Sequence, residues 1–535
     1  MKRYLGIDLG ATSIKLFVNK DESNDLIEVY RFKNIIKNIN NSYVWDIDYI
    51  FNMLEYFKNI TNNNSCSTGA VCSIHPSVQS LFEIILREIS QTSFYAVKLK
   101  EYGYENKSAY DFLVEILSVF MINTSFNHKK YFSLVLKLDS LRKSAKDKYL
   151  DYCKNNNIPY ETIDNNFEIS ESTTLSELIG YSENCNSIKN KVLNREKQRL
   201  FELITLMVRL SSINVVKIKK LEYDDSYDFE ILKFFSVTNN HSISKDKIKK
   251  RILEFSSLAL KIKKQLYELQ KKKFNQKETS LVNLSIENGY NILVSGDDFD
   301  ELDRVLNAIE NYESNEEINV YTNGSLFLAN LHPYFKNNKF LKGHFGSENS
   351  EFDFSNFNGS ILITQNFVQK IDSLYRGEIF SKKLISFTKV CDIENNDYLP
   401  LIKACFNFNK TEKTEDKKIL IDYDKNKLNN LDNKEIVFII GRLNNEIQKN
   451  KNYNKNVIFL NSAIEGEILL DNIDILKEKT TKITAFFSEC NLSNLDLMFT
   501  LLNQDFKFYF VNCSNILINP YVTEALKEDF NIKII

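Results

Sequence analysis

The period of the apolar residues changes at about Gly289, and this change restricts most strongly the folds that the chain can adopt. Between about residues 81 and 269, apolar residues recur every three or four positions, which predicts amphipathic helices. From about Gly289 onward they come in short runs, such as Asn291–Val294 and Glu435–Ile440. Short apolar runs that alternate with helices are typical of parallel strands covered on both faces. The pattern predicts a helical region followed by α/β domains.

The helical region contains two successive groups of three helices, separated by the polar span 155–191. Their apolar stripes lie at about residues 81–96, 110–122, 132–151, 200–211, 229–237 and 248–269. Two similar groups in succession predict two three-helix units.

Strands are predicted at both ends of the chain. The N-terminal runs are Tyr4–Asp8, Ser13–Val18, Ile27–Phe32 and Tyr43–Asp48. The C-terminal runs are Asn291–Val294, Ile318–Tyr321, Ser360–Ile363, Lys418–Asp422, Glu435–Ile440, Asn456–Leu460, Lys482–Phe487, Lys507–Val511 and Asn531–Ile535. Nine runs fit two doubly wound, Rossmann-like domains better than one, with a boundary at the charged segment Asn409–Lys417. The predicted domains are 1–52 (β), 53–285 (helical), 286–410 (α/β) and 411–535 (α/β).

Charge and cysteine content argue against several classes of protein. The chain has 535 residues, with 69 basic and 71 acidic side chains, so no net field favours nucleic acid or a membrane surface. Its eight cysteines are scattered rather than spaced as a disulfide framework. Asp8 interrupts the apolar start that a signal peptide would need. We expect a cytoplasmic protein.

The first 57 residues contain a motif of a known enzyme class. Tyr4–Leu16 reads YLGIDLGATSIKL, followed by Glu28–Phe32 and Trp45–Asp48, and this text resembles the opening of a rhamnulokinase-type sugar kinase of the actin-like superfamily. The resemblance implies that Asp8, Gly10 and Thr12 would approach the phosphates of ATP. A kinase also needs a second phosphate loop, an adenosine pocket and a catalytic base, which the rest of the chain lacks. A retained β module without ATP is therefore the favoured interpretation, and ATP binding remains the alternative.

From about residue 53 onward, the chain resembles the hybrid cluster proteins, also called hydroxylamine reductases. The similar segments, in the family's order, are Cys66–Cys72, Val78–Leu99, Asn291–Asp298, Ile318–Ser325, His332–Tyr334, Gly343–Gly346, Phe357–Asn366 and Asn519–Lys533. The resemblance implies a cubane cluster on four cysteines. It also implies a hybrid iron–sulfur–oxygen cluster that is held by one His, two Glu and four Cys.

Most of the ligand positions implied by the resemblance carry other residues. Cys66 and Cys72 match the last two cubane cysteines, whereas the first two fall near Leu54 and Phe57. At the hybrid site, only Cys490 matches a cysteine. The other positions hold Asp297, Ser325, Phe367, residues near Arg442 and Ala463, and an apparent deletion at about 502–507. Since iron–sulfur clusters need several thiolates, loss of both clusters is the favoured interpretation.

The function expected from this pattern is a degenerate family member that acts as a non-catalytic binding or scaffold protein, without a cofactor. Its partner would be a family paralogue or a second copy. A hydroxylamine or nitric oxide reductase with a partial or rearranged iron–sulfur cluster is the alternative, and would require Cys391, Cys405 or Cys513 to converge on Cys490. Cys66, Cys72 and Cys490 are the residual metal-ligand candidates.

Several family-like residues also have simpler interpretations. His332 and His344 are expected to make structural hydrogen bonds rather than to bind metal. Asp297 and Asp298, followed by Glu301, have the pattern of a helix N-cap.

Overall fold

The computed structural model describes the chain in separate segments. These are residues 5–9, 13–19, 26–33, 36–39, 42–45, 76–119, 128–163, 169–170, 173–175, 177–178, 194–221, 227–240, 242–346, 354, 356–364, 375, 377–382, 390–421, 435–440, 457–460, 466–471, 473–480, 482–487, 492–510 and 520–534. The chain divides into two compact units, Met1–Cys66 and Ser67–Ile535.

Five strands lie in the described residues of the first unit. They are β1 Leu5–Leu9, β2 Ser13–Asn19, β3 Leu26–Lys33, β4 Ile36–Ile39 and β5 Ser42–Trp45. The first three form an antiparallel sheet in the order β1-β2-β3, and β4 pairs antiparallel with β5. The β character predicted for this end of the chain is confirmed.

In its described residues, the second unit begins with six helices at the predicted positions. They are α1 Pro76–Glu101, α2 Lys107–Val119, α3 His128–Asn155, α4 Arg195–Lys220, α5 Asp228–Ser236 and α6 Lys245–Phe274. Short polar side chains begin two of them: Asn194 accepts a hydrogen bond from the Glu196 amide, and Ser244 accepts one from the Lys247 amide. The predicted stripe of α6 is its buried face, which includes Ile252 and Ile262.

The helices do not pack in chain order. α1 packs along α3, as expected for neighbours in one group, but α2 packs on α4 and α5. α4 also packs on α6, so it lies at the centre of the helical region. The two groups of three predicted from the chain order therefore interleave.

The chain then forms a six-stranded, fully parallel sheet. After β6 Ser280–Asn283, its strands are β7 Tyr290–Ser295, β8 Ile318–Asn323, β9 Leu341–His344, β10 Ser360–Ile363, β11 Ile379–Ser381 and β12 Val390–Asp392. Their spatial order is β12-β11-β10-β7-β8-β9. The connections thus run to one side of β7 and then to the other, which is the doubly wound, Rossmann-like arrangement. Among the described residues of this region are three α-helices: α7 Phe299–Glu310, α8 Pro333–Lys336 and α9 Leu399–Cys405.

A second parallel sheet follows, in the order β15-β14-β16-β17-β18. Its strands are β14 Ile436–Ile440, β15 Val457–Leu460, β16 Ile483–Phe487, β17 Phe506–Phe510 and β18 Lys533–Ile534. Its helices are α10 Gly466–Asp471, α11 Ile473–Lys479, α12 Leu492–Leu501 and α13 Pro520–Phe530. The combination of helical and parallel α/β regions that the sequence predicts is confirmed.

One predicted strand was placed in the wrong kind of sheet. The run at Lys418–Asp422 was expected among the parallel strands, but β13 Lys418–Ile421 pairs antiparallel with β6 as a two-stranded ribbon. The charged segment Asn409–Lys417, which precedes β13, explains this antiparallel pairing, because it runs alongside the residues that lead into β7. Thr411 forms a bridge with Gly289, and the Thr414 amide donates to the Ile286 carbonyl.

Both faces of the six-stranded sheet are covered, as the continuous apolar strands predict. Ile292 and Val294 of β7 belong to one large core that also includes residues of the helices and of the second sheet. Leu293 faces the opposite side and packs with Tyr321 and Ile361 in a separate cluster. Among the described helices, none is long and apolar enough to cross a membrane.

Candidate functional site at the carboxyl edge of the first parallel sheet

The connections of the first parallel sheet reverse direction between β7 and β10, where a doubly wound fold usually binds its ligand. β7 ends in Ser295, and the chain then turns through Gly296 and Asp297 into α7. Thr364, after β10, donates its amide to the Ser295 carbonyl over 2.8 Å. The Ser295 hydroxyl in turn donates to Asn323 Oδ1 over 2.7 Å, which joins the ends of three strands.

Charged side chains from other elements converge on this edge. We call the following group the carboxyl-edge cluster: Lys217, Lys220, Asp297, Asp298, Glu301, Lys382 and Tyr398. Lys217 and Lys220 lie in the last turn of α4, where the helix dipole favours cations. Asp298 and Glu301 lie at the start of α7, where it favours anions.

Two ion pairs join the helical region to the turn after β7. Lys217 Nζ lies 2.7 Å from Asp297 Oδ2, and Lys220 Nζ lies 2.5 Å from Asp298 Oδ2. The Asp298 side chain is only 6% exposed, whereas that of Asp297 is 33% exposed. Burial lowers the pKa of Lys220, but the carboxylates of Asp298 and Glu301 raise it more, so the net shift is upward. Lys220 therefore stays protonated.

Asp298 also caps α7, as its sequence pattern predicts. Its carboxylate accepts a hydrogen bond from the Glu301 amide over 3.2 Å. The side chain of Glu301 binds elsewhere: Tyr398 donates its hydroxyl to Glu301 Oε1 over 2.7 Å, and Lys382 Nζ lies 2.9 Å from the same oxygen. Burial, and then Glu301, raise the pKa of Tyr398, so the phenol remains a donor.

The carboxyl-edge cluster is balanced in charge. Its three carboxylates each face an ammonium group, namely those of Lys217, Lys220 and Lys382. Within the segments that the structure describes, no group of three or more His, Cys, Asp or Glu side chains is placed to hold a metal ion. Each pair joins elements that lie far apart in the chain.

Of the phosphate-loop and metal-ligand candidates predicted from the sequence, the structure describes only the backbone of Asp8. Asp8 lies in β1, opposite Lys15 of β2, but its side chain lies outside the described part. Gly10, Thr12, Cys66, Cys72 and Cys490 all lie outside the described residues. Their predicted roles stay predictions.

The structural interpretation of the two histidines is confirmed. His332 Nδ1 lies 2.8 Å from the Asn275 carbonyl, and His344 Nδ1 lies 3.0 Å from Thr322 Oγ1. Both side chains are buried. Burial lowers the pKa of His344 to about 4, so it is neutral at physiological pH.

Sequence reasoning missed the lysines of the cluster and Tyr398. Lys217 and Lys220 end an amphipathic helix, where lysines usually face solvent. Their partners lie about 80 positions away in the chain. One sequence signal could have indicated that these lysines act together. They are three residues apart at the end of a helix, which places both on one face.

The chain is similar to several curated proteins named hydroxylamine reductase. That of Halothermothrix orenii is 24% identical over 374 residues, covering 68% of this chain and 66% of that protein. That of Thermosipho melanesiensis is 28% identical over 374 residues, covering 67% and 66%. That of Syntrophobacter fumaroxidans is 23% identical over 409 residues, covering 75% and 71%. No protein-family model matches the chain.

These alignments confirm the hydroxylamine reductase resemblance as a distant similarity. For the first two relatives, the chain spans just under two thirds of the curated protein's length. The resemblance of residues 4–57 to a sugar kinase stays a prediction.

Proposed function

We propose that this chain is a cluster-free relative of the hydroxylamine reductases that acts as a binding or scaffold protein rather than as a reductase. The observation that carries the proposal is the ion pair between Lys217 and Asp297, since the resemblance places the family's histidine ligand at Asp297. A carboxylate paired with an ammonium group is a weaker ligand than a free one. The added positive charge also opposes the binding of cationic iron.

The neighbouring ligand position supports the same proposal. Where the resemblance expects a glutamate, Ser325 offers one neutral hydroxyl. The resemblance implies a cluster held by thiolates, carboxylates and one imidazole, of which the anionic thiolates and carboxylates neutralise the irons. An ion-paired aspartate and a serine do not fit that donor set. Phe367 and Ala463 have no side-chain donor atom, and Arg442 would add a second cation.

The alternative of a rearranged cluster requires other cysteines as thiolates. Cys405 is fully buried in α9, and burial raises the pKa of its thiol to about 12. Burial, followed by Glu378 and Asp392, also raises the pKa of Cys391. Both thiols are therefore harder to ionise than an exposed cysteine, which disfavours them as iron ligands. These thiols favour the cluster-free function over a reductase with a new ligand set.

Enzyme assays after attempted reconstitution test the proposal. The protein would be treated anaerobically with ferrous iron and sulfide, desalted, and assayed for hydroxylamine reduction with a reduced viologen dye. The curated hydroxylamine reductase of Thermosipho melanesiensis, treated in parallel, is the positive control. We expect no consumption of dye above the rate without protein. Turnover that depends on both hydroxylamine and the reconstituted chain would contradict the proposal.

A further inference from the structure

Three Asn-Gly dipeptides occur in the chain, and all three flank strands of the first parallel sheet. Asn288 precedes β7, Asn323 ends β8, and Asn358 precedes β10. In an Asn-Gly sequence the asparagine side chain cyclises readily on its own backbone, because glycine has no Cβ atom to crowd the attacking amide nitrogen. The three sites have different surroundings, so the fold decides which of them can react.

The Asn358 site offers a backbone N–H that can be deprotonated and a side chain that water can reach. The Gly359 amide nitrogen makes no hydrogen bond within the described part of the chain, and Asn358 is exposed. The Asn358 backbone carbonyl, which belongs to the same peptide group as that nitrogen, accepts a hydrogen bond from the buried Asn291 amide over 3.3 Å. Such a bond polarises the peptide group and makes its N–H more acidic. The nucleophile at this site is therefore both free and activated.

The Asn288 site is blocked by hydrogen bonds. Its nucleophile would be the Gly289 amide, which donates to the Thr411 carbonyl over 3.1 Å. The Asn288 side-chain oxygen accepts a hydrogen bond from the Lys413 amide over 2.8 Å, so the carboxamide is held as well. Both bonds must break before a ring can close, which requires local opening of this segment.

The Asn323 site is blocked by burial. Asn323 is 0% exposed. Its carboxamide accepts a hydrogen bond from the Ser295 hydroxyl over 2.7 Å and donates one to the Phe345 carbonyl over 2.9 Å. Water, which must complete the reaction, does not reach this side chain. Of the three Asn-Gly sequences, the fold therefore leaves that of Asn358 reactive.

We propose that Asn358 is a site of spontaneous deamidation. The Gly359 nitrogen loses its proton to solvent and attacks the side-chain carbonyl carbon of Asn358, which closes a succinimide ring. The bond from that carbon to the side-chain nitrogen breaks, and the nitrogen takes a proton from water and leaves as ammonia. Water then opens the ring at either carbonyl, which gives an aspartate or an isoaspartate. The net change exchanges ammonia for water, without an oxidant or a reductant.

The modification removes hydrogen bonds that hold the segment leading to β13. The Asn358 side-chain amide donates to the Asn409 carbonyl over 2.8 Å and to the Thr411 hydroxyl over 3.1 Å. A carboxylate cannot donate these bonds, and it places a negative charge against the Asn409 carbonyl oxygen. Thr411 in turn forms a bridge with Gly289, beside β7. Deamidation therefore loosens residues 409–411 from the amino edge of the first parallel sheet.

Hydrogen exchange tests the consequence of the modification. Asn358→Asp reproduces the aspartate product, and the Thr411 amide, which donates to the Gly289 carbonyl over 2.9 Å, reports the attachment of the segment. We expect this amide to exchange at least about tenfold faster in the variant than in the wild type. Asn337→Asp is the matched control, since Asn337 is an exposed asparagine elsewhere, and it should leave the exchange unchanged. Unchanged exchange in Asn358→Asp would overturn the proposed loosening.

Ageing of the folded, full-length protein at mildly alkaline pH and physiological temperature tests the site itself, with peptide mass spectrometry following each of the three asparagines. We expect Asn358 to convert at least about tenfold faster than Asn288 or Asn323, because those two react only after local opening. In concentrated urea, we expect the three rates to agree within about threefold, since the unfolded chain protects none of them. Equal rates at Asn358 and Asn288 in the folded protein, or no conversion of Asn358, would overturn the proposal. A preference for Asn358 that persists in urea would equally contradict it, since the fold would then select nothing.

Discussion

Lys217 Nζ lies 2.7 Å from Asp297 Oδ2, so the end of α4 is joined by an ion pair to the turn after the central strand of the first parallel sheet. Lys220, three residues further along α4, makes the same kind of contact with Asp298. The two pairs differ in the exposure of their carboxylates, so replacing the two lysines is expected to lower the free energy of unfolding by different amounts.

Replacing Lys220 should destabilise the protein more than replacing Lys217. Lys220→Met leaves the buried carboxylate of Asp298 without its ammonium partner, and we expect a loss of about 3 kcal/mol in the free energy of unfolding. Lys217→Met leaves a carboxylate that water can reach, and we expect a loss of about 1 kcal/mol or less. Urea titration of both variants measures the two losses. Equal losses would show that the two pairs do not differ in burial as described.

The buried histidine of β9 predicts a pH dependence. The pKa of His344 is about 4 in the folded protein, because burial disfavours the charged ring, and about 6.5 in an unfolded chain. As pH falls below about 6.5, the unfolded chain takes up a proton that the folded protein does not. Stability is therefore lost between about pH 6.5 and about pH 4, by up to about 3 kcal/mol.

His344→Asn removes this titrating group, and its amide can still reach Thr322. We expect the free energy of unfolding of the variant to fall less than that of the wild type over the same pH range. Carboxylates such as Asp529 also respond to acid, but they do so in both proteins. Parallel stability curves for the two proteins would argue against a neutral buried histidine.

Alanine substitutions at two glycines with positive φ angles distinguish the energetic cost of backbone strain from that of steric crowding. At Gly343, with φ +151°, a Cβ atom would lie 2.1 Å from the Asn283 carbonyl oxygen in the neighbouring ribbon. At Gly103, with φ +79°, a Cβ atom would meet nothing within 4 Å. We expect Gly103→Ala to cost about 1 kcal/mol and Gly343→Ala about 2 kcal/mol more. Thermal or urea unfolding measures both, and a smaller loss at Gly343 would contradict the close approach of β9 to β6.

The sugar-kinase resemblance has a direct test. If Asp8, Gly10 and Thr12 formed a working phosphate loop, ATP with magnesium would raise the melting temperature, and Asp8→Ala would abolish the rise. We expect no rise, because a single loop lacks the adenosine pocket and the second phosphate loop. A rise that Asp8→Ala removes would establish nucleotide binding instead.

The long apolar patterns allowed most of the fold to be predicted. The stripe of α6 and the continuous run of β7 each carry enough apolar residues to define their element without help from neighbours. By contrast, β11 and β12 have only three residues each and exist because adjacent strands supply hydrogen-bond partners. Such strands have no period of their own that a sequence could reveal.

The candidate site was predictable in part. The turn at Asp297 and Asp298 could be located, since it follows an apolar strand and carries a helix-capping pattern. Its partners could not, because Lys217 and Lys220 read as the solvated end of a helix and meet the turn only after the chain folds. The direction of β13 could not be predicted either, since its three consecutive apolar residues are compatible with a parallel sheet and with an antiparallel ribbon.

Iron content tests the central claim most directly. The full-length protein would be purified without oxygen, and iron and acid-labile sulfide would be measured per chain together with the visible absorption spectrum. We predict a colourless protein with much less than one iron per chain, because the positions at which the resemblance expects cluster ligands include an ion-paired aspartate, a serine and residues without donor atoms. Several irons per chain, with the broad absorption of thiolate-to-iron charge transfer, would contradict the account.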